Sequence, residues 1–322
     1  MLQTFGLGTE MEQVEVRLRR SVASDEPLLT EMALYVIESG GKRVRPLAAV
    51  LSYRAVGGRD ARLDDVLEMA AGLELIHSAT LVHDDINDDA RTRRGRDSLW
   101  RRYGRAPAIV TGDFLFTKGF HISGRFDNSI VDWTGDACRM LAEGEVLQSR
   151  YQNDPSLSVE DYLVLIERKT ASIIQTGIRI GAYLGGADPA TVERLGRFGL
   201  QLGLAFQIVD DILDVVGDGD RTGKRPGIDI QDGSPTIPLL LAIRRGGPDA
   251  ERLADILRDT ARTEADIDEA LRIVRASGAV EEADAMARAH GTAARREIVA
   301  LDGQVDHERL LTLVDLVLER DF

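Results

Sequence analysis

Seven aspartates in two runs are where chemistry can first be argued. Residues 73–89, LELIHSATLVHDDINDD, are apolar until they end in Asp84, Asp85, Asp88 and Asp89, and residues 206–214, FQIVDDILD, carry Asp210, Asp211 and Asp214. Asp84 and Asp88 stand one helical turn apart, which sets their carboxylates on one face roughly 6 Å from each other. Like charges so placed repel, and at a helix C-terminus the macrodipole opposes them as well. A bound cation reverses both penalties. Hard oxygen ligands that leave the shell incomplete suit Mg²⁺, which takes one or two carboxylates, waters and a substrate phosphate. For one such run alone, a solvated acidic helix end is an equally good reading. A second run inside another apolar helix weakens it, because unpaired carboxylates are expensive to bury.

The cations are equally local. Residues 40–46, GGKRVRP, place Lys42, Arg43 and Arg45 in a glycine-opened loop, and residues 91–95, RTRRG, place three arginines just after the first acidic run. Guanidinium forks suit phosphate oxygens, so beside a metal-binding acidic run these loops become diphosphate clamps. Only four of the 40 basic residues are lysine, so each surviving lysine asks whether its site needs a compact ammonium. Lys42 in the glycine loop, Lys169 in ERKTAS and Lys224 in RTGKRPG have distinctive contexts, whereas Lys118 in DFLFTKGF does not. A lysine on an apolar helix more often snorkels than reacts, but Lys169 beside a leaving group can offset developing negative charge.

The elements that must position these groups are helices. Apolar residues recur at helical spacing, as in Val66, Met69, Ala70, Leu73 and Ile76, and alternating strand patterns are nearly absent. Ser158 with Asp161 and Asp188-Pro189 predict helix starts, the first opening a helix over 159–184, and Gly185-Gly186 predicts a stop. About a dozen helices follow, separated by Pro/Gly breaks without a long polar linker. The expectation is one all-α domain over residues 1–322.

Composition bounds the function classes. The chain has 322 residues, 43% hydrophobic, with net charge −14 and pI near 4.9, which speaks against a broad nucleic-acid surface. Its single cysteine, Cys138, cannot form an intrachain disulfide, and the N-terminus has neither the basic start nor the apolar run of a signal peptide. A cytoplasmic protein is expected. No apolar stretch approaches the roughly 18 residues of a membrane span, so a hydrophobic partner is met in a pocket or at a membrane surface.

Together these motifs resemble the trans-type (E-)polyprenyl diphosphate synthases. The match runs from GGKRVRP to PTIPLLLA through GGKR, the first aspartate run with its RRG, GDFLF, EGE, KT, FQIVDDILD, and GK before GIDI. The resemblance implies the type I isoprenoid synthase fold, a helical bundle around a deep central cavity. It implies head-to-tail condensation of isopentenyl diphosphate with an allylic diphosphate. Asp84, Asp88 and Asp210 become ligands of about three Mg²⁺. Arg93, Lys169 and Lys224 would hold the allylic diphosphate, and Lys42, Arg45, His77 and Arg94 the isopentenyl diphosphate. Thr170 and Gln207 would face the allylic carbons. His77 on residue type alone is a satisfied core histidine, so its role rests on the resemblance. The family also implies a homodimer, and a lipidic product implies transient membrane-surface contact at release.

Product length in such a bundle depends on the cavity wall before Asp84. Thr80 and Ala79, four and five residues before it, are small, where short-product members tend to carry an aromatic ring. The floor is then expected deeper, at Leu75 or Ile76 with the helix of Phe114, Phe116 and Phe120, giving a geranylgeranyl or longer product. Small residues that only let two helices pack closely are the competing reading. One departure is Ser234, where the family often has lysine. Two other functions compete: a terpene cyclase, which would carry an Asn/Ser/Glu-type second metal motif instead of DDILD, and a non-catalytic subunit of a heteromeric synthase, which would tend to lose metal or diphosphate residues.

Overall fold

The computed structural model describes residues 5–217, 226–301 and 303–319. Its helices are α1 (Gly8–Ser21), α2 (Pro27–Ile37), α3 (Val44–Ala55), α4 (Leu63–Asn87), α5 (Leu99–Tyr103), α6 (Arg105–Ser123), α7 (Asn128–Tyr151), α8 (Val159–Ile166), α9 (Ser172–Leu184), α10 (Pro189–Val216), α11 (Ile228–Asp232), α12 (Ile237–Arg244), α13 (Pro248–Arg258), α14 (Glu264–Ala276), α15 (Ala279–Val299) and α16 (His307–Leu318). Between α4 and α5 lie two-residue strands, β1 (Thr92–Arg93) and β2 (Arg96–Asp97), paired antiparallel with Arg93 opposite Arg96. The fold is all-α, as the periodicity predicts. The hairpin escapes that periodicity because its turn, not its strands, defines it: Arg94 (φ 53°) and Gly95 (φ 75°) are both left-handed, the backbone of a type I′ turn.

Helix 159–184 is also corrected in one place. Its start is as expected, with Ser158 Oγ accepting from the Asp161 amide at 3.0 Å. Its middle is a π-turn, Glu167–Ala171, inserted between α8 and α9. Such insertions widen a helix by one residue and recur at functional sites.

The chain divides into two compact units, one of Met1–Arg139, Ile173–Gly199 and Glu297–Leu311, the other of Met140–Ser172, Leu200–Arg296 and Thr312–Phe322. In the first unit α3 and α4 are buried along most of their length. α4 meets α6 at backbone contact, since a Cβ on Gly119 would lie 2.6 Å from the Gly72 carbonyl oxygen and 2.7 Å from Ile76 Cγ1. Substituting any side chain there forces the helices apart. The core of the second unit gathers Tyr162, Leu165 and Ile166 of α8, Leu204 and Ile208 of α10, and apolar residues of α12 to α14. Among the described residues no helix is long and apolar enough to cross a membrane.

Candidate active site

In the first unit the acidic run divides its labour. α4 stops at Asp88, whose amide closes on the Asp84 carbonyl at 2.9 Å, and Asp89 follows in the left-handed conformation (φ 53°). Asp84 is buried and Asp88 half-buried, on one face of the last turn. Asp85 turns elsewhere: it accepts from Arg93 Nε at 2.5 Å, while burial pushes its carboxyl up. Asp89 pairs with Arg105, which also donates to the Ile86 carbonyl at 3.1 Å. A cation on the last carbonyls of α4 opposes the dipole that the acids aggravate. Asp84 and Asp88, one turn apart on that face, are the carboxylates whose spacing suits a hard cation. Among the described residues no three acidic, histidine or cysteine side chains form a ready cage. Mg²⁺ needs no such cage where substrate phosphates complete its shell.

The two basic loops meet. Gly40 (φ 89°) and Gly41 (φ 144°) carry the chain past the hairpin turn so closely that a Cβ on Gly41 would lie 2.9 Å from Arg94 Nη1. Arg43 is spent on structure: its guanidinium bonds Glu74 at 2.9 Å, Glu15 at 2.6 Å and the Ile37 carbonyl at 2.6 Å. Arg94 reaches no carboxylate among the described residues and donates to Ser39 Oγ at 3.4 Å. Half-buried His77 lies in the field of Arg45, Arg94, Arg93 and Arg43, and burial together with those charges holds its imidazole neutral, well below the ordinary range. Cations crowded around a neutral imidazole leave a local excess of positive charge that an anion relieves. Behind the hairpin a narrow cleft is lined by Tyr35, Asp85, Arg93, Arg94, Arg96 and Ser98, among others.

In the second unit the π-turn sets out the other candidates. A Cβ on Gly144 of α7 would lie 2.8 Å from the Lys169 amide nitrogen, and one on Gly203 of α10 would lie 2.6 Å from Ala171 Cα, so two glycines grip the turn by its backbone. Lys169 Nζ donates to Glu145 Oε2 at 2.6 Å and Gln148 Oε1 at 2.8 Å. Thr170, almost buried, donates to Gln207 Oε1 at 2.8 Å. Gln207 Nε2 donates to Asp211 Oδ1 at 3.0 Å, and the other oxygen of Asp211 accepts from the Tyr162 hydroxyl at 2.8 Å. Burial pushes the Asp211 carboxyl up to about 7 against those hydrogen bonds, with Asp210 adding to the rise. Asp214 accepts from the Ile228 and Asp229 amides at 3.1 and 3.0 Å. Burial and the charges of Asp214, Asp211 and Asp210 push Asp229 well up. Exposed Asp210 is the member of this group that faces solvent.

The structure therefore brings His77, Arg93 and Arg94 together with Lys42 and Arg45 close in the chain, and separately joins Thr170 to Gln207 beside Lys169 and Asp210. Lys224 lies outside the described residues. Ala79, Leu75 and Ile76 are buried in α4 and Thr80 is half-buried. On α6, Phe120 is 39% exposed and Phe114 and Phe116 are half-buried, and the buried side chain between Gly112 and Gly119 is Leu115. His83 packs against Gly112, near the Ile109 carbonyl at 3.4 Å, a helix-seam position. Ser234 follows α11, its amide donating to the Asp229 carbonyl at 2.8 Å. Sequence reading missed Tyr162, Gly144, Gly203 and Asp229. The glycines and Asp229 sat in EGE, QLGLAF and GIDI, but nothing local marks a buried tyrosine as polar-partnered.

The polyprenyl synthetase family model matches residues 26–274. The chain belongs to that family. It is a prenyltransferase with the all-α isoprenoid synthase fold, making a trans-polyprenyl diphosphate. A nonaprenyl diphosphate synthase of Mycobacterium tuberculosis is 34% identical over 308 residues, covering 96% of this chain and 91% of that protein. A short chain isoprenyl diphosphate synthase of Methanothermobacter thermautotrophicus is 36% identical, covering 96% of each. Among solved structures, a polyprenyl synthase from Caulobacter crescentus complexed with calcium and isoprenyl diphosphate superposes with a TM-score of 0.90 at 34% identity, over 98% of this chain and 95% of that one.

Proposed function

We propose that this synthase condenses isopentenyl diphosphate with an allylic diphosphate to a product of geranylgeranyl length or longer, the two compact units acting as one catalytic domain. The observation that carries it is the arginine cluster around neutral His77, two turns before Asp84 on the same helix and built from both basic loops. Lys42, Arg45, His77 and Arg94 hold isopentenyl diphosphate. Arg93, kept in place by Asp85, acts with Lys169 and Lys224 on the allylic diphosphate. Asp84, Asp88 and Asp210 hold about three Mg²⁺, which when bound supply positive charge to the departing diphosphate. Lys169 leaves Glu145 and Gln148 for that diphosphate as its charge develops. The Thr170 and Gln207 oxygens lower the energy of the allylic cation without capturing it, and the isopentenyl double bond attacks. The proton lost in closing the step goes to the released diphosphate.

Ala79 and Thr80 set the reach of the growing chain. Their support is size: both side chains are small, four and five residues before Asp84. Further parts of the reading are a homodimer, a cytoplasmic location and transient membrane-surface contact. The dimer is supported by the apolar exposure of Ile109, Val110 and Phe120 on α6. The test is purified protein with Mg²⁺, labelled isopentenyl diphosphate and allylic primers of several lengths, products being sized after phosphatase treatment. A product longer than farnesyl is expected, shortened by one or more isoprene units in Ala79→Phe. A product that stops at farnesyl, or one unchanged by Ala79→Phe, contradicts the length assignment.

A further inference from the structure

We infer that Tyr162 and Asp211 are positioning residues that fix the polarity of the Thr170–Gln207 pair, so that the reacting carbons meet the lone pairs of Thr170 Oγ1 and not its O–H. The inference deepens the proposed function and rests on that reading for Thr170 and Gln207.

Hydrogen-bond direction sets the order. Asp211 in its ionised form only accepts, a phenol next to it donates, and a primary amide has a donating NH₂ at one end and an accepting oxygen at the other. Tyr162 donates to one oxygen of Asp211. The other oxygen is left for Gln207, which must present its NH₂ to it. That choice forces the carbonyl end of Gln207 toward Thr170, and the carbonyl in turn takes the Thr170 hydroxyl proton. The three hydrogen bonds therefore run in one sense, from Thr170 to Gln207 and from Gln207 and Tyr162 to Asp211. With its proton committed, Thr170 Oγ1 offers only lone pairs to whatever lies beside it. Such an arrangement stabilises a passing cation with the hydroxyl proton turned away from it.

Tyr162 and Asp211 are buried and Thr170 nearly so, so water does not compete for these bonds. Without its Tyr162 partner, Asp211 is free to turn, and the amide of Gln207 loses the acceptor that orients it. An asparagine at 211 has a donating end of its own and lets Gln207 flip. The sequence separates Tyr162 from metal binding: it lies seven residues before Lys169 and belongs to neither aspartate run.

The test is a double-mutant cycle on steady-state prenyl transfer with Tyr162→Phe, Gln207→Leu and both together, with Asp211→Asn as a further single variant. Tyr162→Phe is expected to lower kcat about tenfold, the scale of one hydrogen bond to a charged group, with both Michaelis constants and the half-saturating Mg²⁺ concentration unchanged. Added to Gln207→Leu, it is expected to cost nothing further, because it acts through that amide. Asp211→Asn is expected to lower kcat at least as far as Tyr162→Phe. A merely structural tyrosine instead lowers thermal stability and leaves kcat per folded molecule intact. An active wild type whose Tyr162→Phe variant keeps full kcat per folded molecule, or whose two substitutions multiply in the cycle, overturns this role alone. A wild type that makes no prenyl product overturns the functional reading and this role with it.

Discussion

The cluster around His77 and the turn around Asp211 are charged in opposite senses. In the first, Arg43, Arg45, Arg93 and Arg94 surround a titratable group that is held neutral as a base. In the second, Asp210, Asp211, Asp214 and Asp229 gather on and beside α10, and the buried acids are pushed up. One region is prepared to receive an anion, the other to tolerate a cation. A prenyl transfer needs both, because a diphosphate must be held while a carbocation is made and spent.

The largest effect expected from breaking this division is on the carboxylates assigned to metal. Asp84→Ala or Asp210→Ala is expected to lower turnover about a thousandfold, the several kcal/mol a bound cation supplies, while circular dichroism stays that of the wild type. In EDTA the Asp84→Ala protein is expected to melt slightly higher, since a repelling charge is gone. Wild-type turnover in excess chelator would contradict the assignment.

Next in size is the contrast inside the basic loop. Arg43 and Glu74 are 9% and 4% exposed at their side chains, so Arg43→Ala leaves Glu74 buried without its cation. A loss of about 3 kcal/mol in stability is expected, read from urea unfolding. Lys42→Ala, one residue away in sequence but exposed, is expected to change stability little and to raise the Michaelis constant for isopentenyl diphosphate. If the two variants are equally stable, the separation of structural from binding cations in this loop is wrong.

That contrast shows what the sequence could and could not convey. Helical periodicity, the caps at Ser158 and Asp188 and the two aspartate runs were all legible, because each is a local property of residue type and spacing. Which arginine of GGKRVRP pairs internally was not, because Glu74 and Glu15 are 31 and 28 residues distant. The π-turn was equally hidden: the sequence through Lys169 and Thr170 is ordinary helix-forming sequence, and the distortion rests on close approach by Gly144 and Gly203 from other helices. The hairpin at Arg94-Gly95 lacked the alternating pattern that announces strands, since each strand is two residues long. Which side chain of α6 is buried between Gly112 and Gly119 was not legible either: three phenylalanines stand on that helix, yet the buried residue is Leu115.

Smaller still is the effect of pH on stability, where the two regions are expected to pull in opposite directions in metal-free buffer. His77 is neutral in the folded state and protonates more readily unfolded, so its contribution falls as pH drops below about 6.5, the unfolded value. Asp211 holds its proton up to about 7 when folded, so the stability it contributes is present in acid and is lost as pH rises through 7. Melting temperatures measured from pH 5 to 8 are expected to lose the acid decline in His77→Asn and the neutral decline in Asp211→Asn. If one substitution removes both declines, the two groups do not titrate independently.

The division itself is tested most directly by calorimetric titration of isopentenyl diphosphate into wild type, Arg94→Ala and Thr170→Val, paired with kcat for the same three proteins. Arg94→Ala is expected to weaken binding about tenfold or more, as loss of a charged hydrogen-bonding partner does, while Thr170→Val binds as wild type and loses kcat. Equal loss of affinity in both variants, or normal binding by Arg94→Ala, would contradict the account.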